Sequence, residues 1–296
     1  MNTAQHNIAV GVDESPQAMV AARYALWQAE LRGLGLTLVH AYPVPAMEAM
    51  AFEDISVSLR EAAQEVVDTV IAELNVPPTV KVTTLLGQTS PVLLLRQAAE
   101  TAQLLVVGQD HVGFAERIIV GNIAAPLCHR ASCPVIVVPS GWEHGAMNRH
   151  PVAVALDGKS ATEEVLRVAF EVAVLLKTRL VAVHAMSANS WPRDVAAEER
   201  NLAELLAGHK QDNPEVDVTV QTVSGDPKRA LVESSLTASL LVVGAPHSEG
   251  LAAWTRSVAR GVLEQVECPV AVVPRHPSET HERRSADDRD GSLART

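Results

Sequence analysis

Chemistry in this chain would have to come from a small set of polar residues that punctuate apolar runs. Asp13 closes the run Ile8-Ala9-Val10-Gly11-Val12, and Asp157 closes Val152-Ala153-Val154-Ala155-Leu156. Gly108 ends Leu104-Leu105-Val106-Val107, and Gly244 ends Leu240-Leu241-Val242-Val243. An aspartate leaving a strand can contact a ligand, or it can simply cap the following turn or helix. A glycine at such an exit lets backbone N–H groups come close to an anion. Ligands of open α/β sheets bind beyond the carboxyl ends of the strands, where strand order reverses. With strands in the order 3-2-1-4-5, the first and fourth flank that point, and Asp13 and Gly108 would face one crevice.

The elements that must position these residues are written twice. Leu36-Thr37-Leu38-Val39-His40-Ala41 recurs as Leu180-Val181-Ala182-Val183-His184-Ala185, and Cys133-Pro134-Val135 recurs as Cys268-Pro269-Val270. Asp13 and His40 are 27 positions apart, as are Asp157 and His184. The offset between copies falls from 144 at the aspartates to 135 at the cysteines. The main loss is expected in the loop after the second strand, Pro43 to Asp54. In each copy β-branched runs alternate with helix-period segments, such as Ala21, Tyr24 and Ala25 after the helix start Ser15-Pro16. That alternation predicts an α/β protein of two Rossmann-like domains, each with a five-stranded parallel sheet and right-handed crossovers. Residues 1–140 form the first domain, 141–150 a glycine-bearing linker, and 151–275 the second. The polar segment 276–296 has almost nothing to bury and reads as a disordered tail.

Composition removes several classes of function. The formal charge of −11 argues against nucleic acid as a general partner, since phosphate backbones need clustered Lys and Arg. No run approaches the roughly 20 apolar residues of a membrane span, and the N-terminus lacks a basic region followed by an apolar one. A cytoplasmic protein is expected. Aromatics make up only 3% of residues, so the cores must be built from Ala, Val, Leu and Ile. The three cysteines, Cys128, Cys133 and Cys268, are too few and scattered for a disulfide framework or a zinc site; Cys133 and Cys268, each before Pro-Val at the head of an apolar run, read as small buried thiols.

Gly11-Val12-Asp13-Glu14-Ser15-Pro16, Val106-Val107-Gly108 and Cys133-Pro134-Val135 resemble the universal stress protein family in order and spacing, and the likeness runs twice through residues 6–275. The resemblance implies the HUP-type fold of that family and an adenine nucleotide, ATP with Mg2+, as ligand. In the family the Asp after the first strand contacts the nucleoside, the end of the second strand walls the adenine, and a G-x2-G-x9-G-[S/T] loop after the fourth strand holds phosphates. Carried onto this chain, the first site comprises Val12, Asp13, Glu14, Ala41, Val107, Gly108, Asp110, His111, Gly121, Asn122 and Ile123. His111 stands at the second glycine of that loop and Asn122 at the hydroxyl position. The second site comprises Asp157, Ala185, Gly244, His247, Arg256 and Ser257, with Arg256 at the third glycine, and reads as degenerate, structural or anion-binding only.

No catalytic constellation emerges: there is no G-x-S-x-G elbow, no full P-loop and no H-E-x-x-H. Hydrolysis of ATP would be slow and incidental, because no general base is placed for it. His40 and His184 read as satisfied core histidines, and Trp254 as packing over the second loop. Neither His111 nor His247 has ligand-spaced neighbours for a metal. The expected role is a regulatory binding protein that reports nucleotide state to unidentified protein partners. The alternatives are a nucleotide-free scaffold and, less favoured, an enzyme acting on a nucleotide-activated substrate. The fifth strands, Val135–Val138 and Val270–Val273, are edges that need covering. They are expected to pair within one chain as an intramolecular pseudo-dimer, or between chains in a homodimer.

Overall fold

Each apolar run of the sequence becomes a strand and each helix-period segment a crossover. The computed structural model describes residues 7–42, 53–109, 123–145, 150–156, 162–186, 195–245 and 257–274. The first half runs β1 (Asn7–Gly11), α1 (Pro16–Arg32), β2 (Gly35–Ala41), α2 (Glu53–Leu74), β3 (Val82–Gly87), α3 (Pro91–Ala99), β4 (Leu104–Gly108), α4 (Ala124–Arg130) and β5 (Val135–Val138). The second runs β6 (Val152–Leu156), α5 (Thr162–Leu176), β7 (Leu180–Met186), α6 (Val195–Asp212), β8 (Val218–Ser224), α7 (Pro227–Ser235), β9 (Leu240–Gly244), α8 (Val258–Leu263) and β10 (Val270–Val273).

Strand order is β3-β2-β1-β4-β5-β10-β9-β6-β7-β8, so each half has the order 3-2-1-4-5 with parallel neighbours, as expected. The two fifth strands pair antiparallel, with Ile136 opposite Ala271, and fuse the halves into one ten-stranded sheet. The edges that the sequence left to be covered therefore cover each other.

Strand pleating sends alternate residues to opposite faces. On one face Ile8, Val10, Leu38, Val106 and Val138 pack with α1 and α2, continuing through Ala271 and Val154 to α5 and α6. On the other, Ala9, Leu105, Val107, Val135 and Val270 pack with α3, α4, α7 and α8. Both layers of core cross the junction between halves. Cys133 and Cys268 are buried and free, as expected, and so is Cys128.

Two features depart from the sequence reading. The shortening of the second copy is shared by the helix after the loop, since α6 has 18 residues against 22 in α2. The start of the expected linker is docked rather than free: Trp142 lies 5.0 Å from the ring of Tyr24 and 6.0 Å from that of Trp27, both on α1. An ion-pair network also spans the halves, with Arg32 of α1 bonded to Glu171 of α5, which is itself held by Arg167. The tail from residue 276 and Trp254 lie outside the described residues.

Candidate functional site

The chain leaves β1 at Gly11 and turns sharply before α1. Asp13 builds that turn: its Oδ1 accepts from the Ser15 backbone N–H at 2.9 Å. Ser15 then caps α1, its Oγ accepting from Ala18 N at 3.2 Å, and Pro16 occupies the first helical position. The turn role weighed for Asp13 is thus real, but it occupies one oxygen. Oδ2 has no protein partner among the described residues, and the residue is exposed.

The turn is held from a second side. His40 Nδ1 lies 2.8 Å from the Val12 carbonyl, and Val12 N donates to Val39 O at 3.0 Å. A carbonyl only accepts, so Nδ1 carries the proton. The second half repeats the contact, with His184 Nδ1 2.8 Å from Leu156 O. This explains the 27-residue spacing: each histidine, late in the second strand, anchors the carbonyl that precedes the aspartate. His184 is buried as expected, with Nε2 3.3 Å from Glu198 Oε1. His40 departs from expectation in being only half-buried and lining the cleft.

Gly108 closes the cleft from β4, which pairs directly with β1. A Cβ at Gly108 would lie 2.7 Å from the carbonyl oxygen of Gln17 in the first turn of α1, so glycine is needed for close approach. One cleft is then lined by Val12, Asp13, Ser15, Gln17, His40, Ala41, Val107, Gly108 and Ile123. Of the first-site residues from the sequence, Val12, Asp13, Ala41, Val107, Gly108 and Ile123 meet there. Glu14 instead faces the adjoining groove between α1 and α2, beside Met19, Arg23 and Glu65. Asp110, His111, Gly121 and Asn122 lie outside the described residues. Ser15, Gln17, Pro91 and Leu95 line the cleft without having been named as site residues, and His40 lines it against its reading as a core histidine; the shared histidine spacing between copies was the signal available for it.

In the second half Ala185 and Gly244 hold equivalent places at the ends of β7 and β9, and Ser257 caps α8 through a 3.2 Å bond from Arg260 N. Among the described residues, a Cβ at Gly244 would meet only the Val165 side chain, at 3.3 Å. Asp157, His247 and Arg256 lie outside the described residues. No helix among the described residues is long and apolar enough to cross a membrane.

Two doubly wound halves joined edge to edge, with a glycine exit from the fourth strand of each and the acidic turn of Asp13 beside the first, define a duplicated α/β protein of the Rossmann-like type. The profile of the universal stress protein family matches residues 5–139 and again 148–274. Universal stress protein Rv2623 of Mycobacterium tuberculosis is 33% identical over 287 residues, covering 90% of this chain and 95% of that protein. Universal stress protein Rv2005c of the same organism is 31% identical over 288 residues, covering 90% and 97%. A universal stress protein structure from Archaeoglobus fulgidus shares the fold with a TM-score of 0.70 at 18% identity, over 94% of this chain and 100% of that one. The chain belongs to the universal stress protein family, in tandem form.

Proposed function

We propose that this universal stress protein binds an adenine nucleotide, ATP with its Mg2+, in the cleft of its first half and acts as a regulatory binding protein rather than a metabolic enzyme. One observation carries the reading: Asp13 and Gly108, 95 positions apart in sequence, line the same cleft at the strand-order reversal. Asp13 brings a carboxylate oxygen, unpartnered among the described residues, for ribose hydroxyls. Val12, Val107, Ile123 and the His40–Ala41 end of β2 offer a largely apolar wall for the base. Beyond Gly108, the loop carrying Asp110, His111, Gly121 and Asn122 is the proposed phosphate cradle. The second half, with Arg256 in place of a loop glycine, is proposed to bind an anion or nothing.

Isothermal titration of the full chain with ATP tests this. Asp13→Asn keeps the acceptor that Ser15 N needs and removes the charge. Losing a hydrogen bond to a charged acceptor costs about 1.5–3 kcal/mol, so ATP should bind roughly ten- to a hundredfold more weakly, with the circular dichroism spectrum unchanged. Absence of wild-type binding at millimolar ATP would end the proposal.

A nucleotide-free scaffold is the second reading, and the β5–β10 pairing with both core layers continuous across it is what favours it. It predicts the same stability with and without ATP.

A further inference from the structure

Gln109 follows Gly108 at the point where the chain leaves β4, and it is 4% exposed. Its backbone N–H donates to Val138 O at 2.9 Å. Its side-chain Nε2 donates to Leu263 O at 2.6 Å, a residue 154 positions away in the other half. The last carbonyls of a helix have no donor within the helix. In α8, Arg260 O and Val262 O take backbone N–H groups from Glu264 and Gln265, whereas the fully buried Leu263 takes the Gln109 amide. The antiparallel junction makes this possible, because it sets the entry end of β10, and α8 before it, at the same rim of the sheet as the exit ends of β5 and β4.

The bond is not repeated by symmetry. Ala245 occupies the counterpart position and makes the same backbone bond, to Val273 O at 2.9 Å, but has no amide to reach across. α8 itself is only six residues long, and Ser257, the second half's hydroxyl position, caps its other end. A short helix therefore has the second half's candidate residue at its start and, at its finish, the residue that follows Gly108 of the first half's cleft.

We infer that Gln109 is a positioning residue through which α8 of the second half fixes the exit of β4, and with it Gly108 at the cleft of the first, so that the second half supports nucleotide binding in the other. The inference rests on the nucleotide reading above, but the tether can be tested without it. Gln109→Ala copies the residue already present at position 245. Gln109→Glu keeps the size and, when ionised, cannot donate to Leu263 O. ATP titration and amide hydrogen exchange over residues 258–264 are measured on the full chain, the exchange without ligand. Both variants should bind ATP at least fivefold more weakly than wild type, and both should exchange faster in α8. Lowering the pH from 8 to 5 protonates a buried glutamate and restores a donor, so Gln109→Glu alone should regain affinity relative to wild type at the same pH. Unchanged ATP affinity in both variants overturns the inference. Should the wild type fail to bind ATP, the nucleotide reading falls and exchange decides the tether: faster exchange in α8 upholds it, and unchanged exchange overturns it. Should Gln109→Ala fail to fold, Gln109→Glu at the two pH values decides alone, and equal behaviour at both overturns the inference.

Discussion

A glycine shared by two copies of a repeat need not do the same job in each. Gly108 and Gly244 end equivalent strands, yet an added methyl group meets the Gln17 backbone at 2.7 Å in one and a valine side chain at 3.3 Å in the other. Backbone cannot swing aside as a side chain can, and overpacking costs about 1–3 kcal/mol. Gly108→Ala should therefore lower stability by about 2 kcal/mol, and Gly244→Ala by under about 1 kcal/mol, read as shifts in urea midpoint. The same contact means that any bulky residue at 108 would disturb α1 as well as a ligand, so Asp13 is the cleaner probe of binding. The sequence made Asp13 and Gly108 legible because each ends an apolar run and recurs at fixed register. It hid Gln109, whose partner is a main-chain carbonyl 154 positions away. It also hid the role of His40, because a ring bonded to a carbonyl leaves no trace in residue type beyond a conserved spacing between copies.

At the scale of elements, the helix ends show how closely the two copies agree and where one of them is strained. α1 ends on Gly33 at φ 65°, with Leu34 N donating to Ala29 O at 2.9 Å and Gly33 N to Glu30 O at 3.2 Å. α5 ends the same way, with Thr178 N on Ala173 O at 3.0 Å and Lys177 N on Val174 O at 3.1 Å, but Lys177 adopts φ 51°. The left-handed conformation costs an ordinary residue roughly 1–2 kcal/mol, which is why glycine is usual there. Lys177→Gly should raise stability by about 1 kcal/mol and increase the melting temperature, despite the greater freedom glycine has when unfolded; a fall would contradict the account. Helix starts were readable from Ser-Pro and Asp-Pro pairs, and Ser15, Ser90 and Asp226 all cap as those pairs imply. The start of α4 was less so, since it begins at Ala124 with Ile123 giving no side-chain cap.

For the molecule as a whole, the continuous core carries buried acids that lose nothing at neutral pH and matter in alkali. Burial pushes the Cys133 and Cys268 thiols up to about 12, and raises Cys128 and the Tyr24 hydroxyl further still. The folded state keeps these protons where the unfolded chain releases its thiol protons near pH 9. Stability is thus intact below about pH 9 and is lost as pH climbs toward 12, because unfolding then releases protons. The urea midpoint should hold between pH 7 and 8 and fall steadily from pH 9 to 11. Cys133→Ala combined with Cys268→Ala should flatten that decline relative to the wild type. Duplication was the most legible feature of the chain, being stated outright by repeated hexapeptides. The docking of Trp142 on α1 was not, since a segment with two glycines and few apolar residues advertises freedom and only the fold supplies the aromatic face it rests on.

The opposed direction of β5 and β10 has a geometric corollary. All strands of one half point their carboxyl ends to one rim of the sheet, and those of the other half point to the opposite rim. The cleft beside Asp13 consequently opens toward one rim, while Leu156 and Gly244, at the exits of β6 and β9, lie at the other. A macromolecule resting on one rim meets the strand exits of a single half, never both, and turning the protein end over end presents the exits of the other half, with different residues. Gene duplication has in this way produced an object with a head and a tail out of an arrangement that two identical chains would make indifferent to which way up it lies.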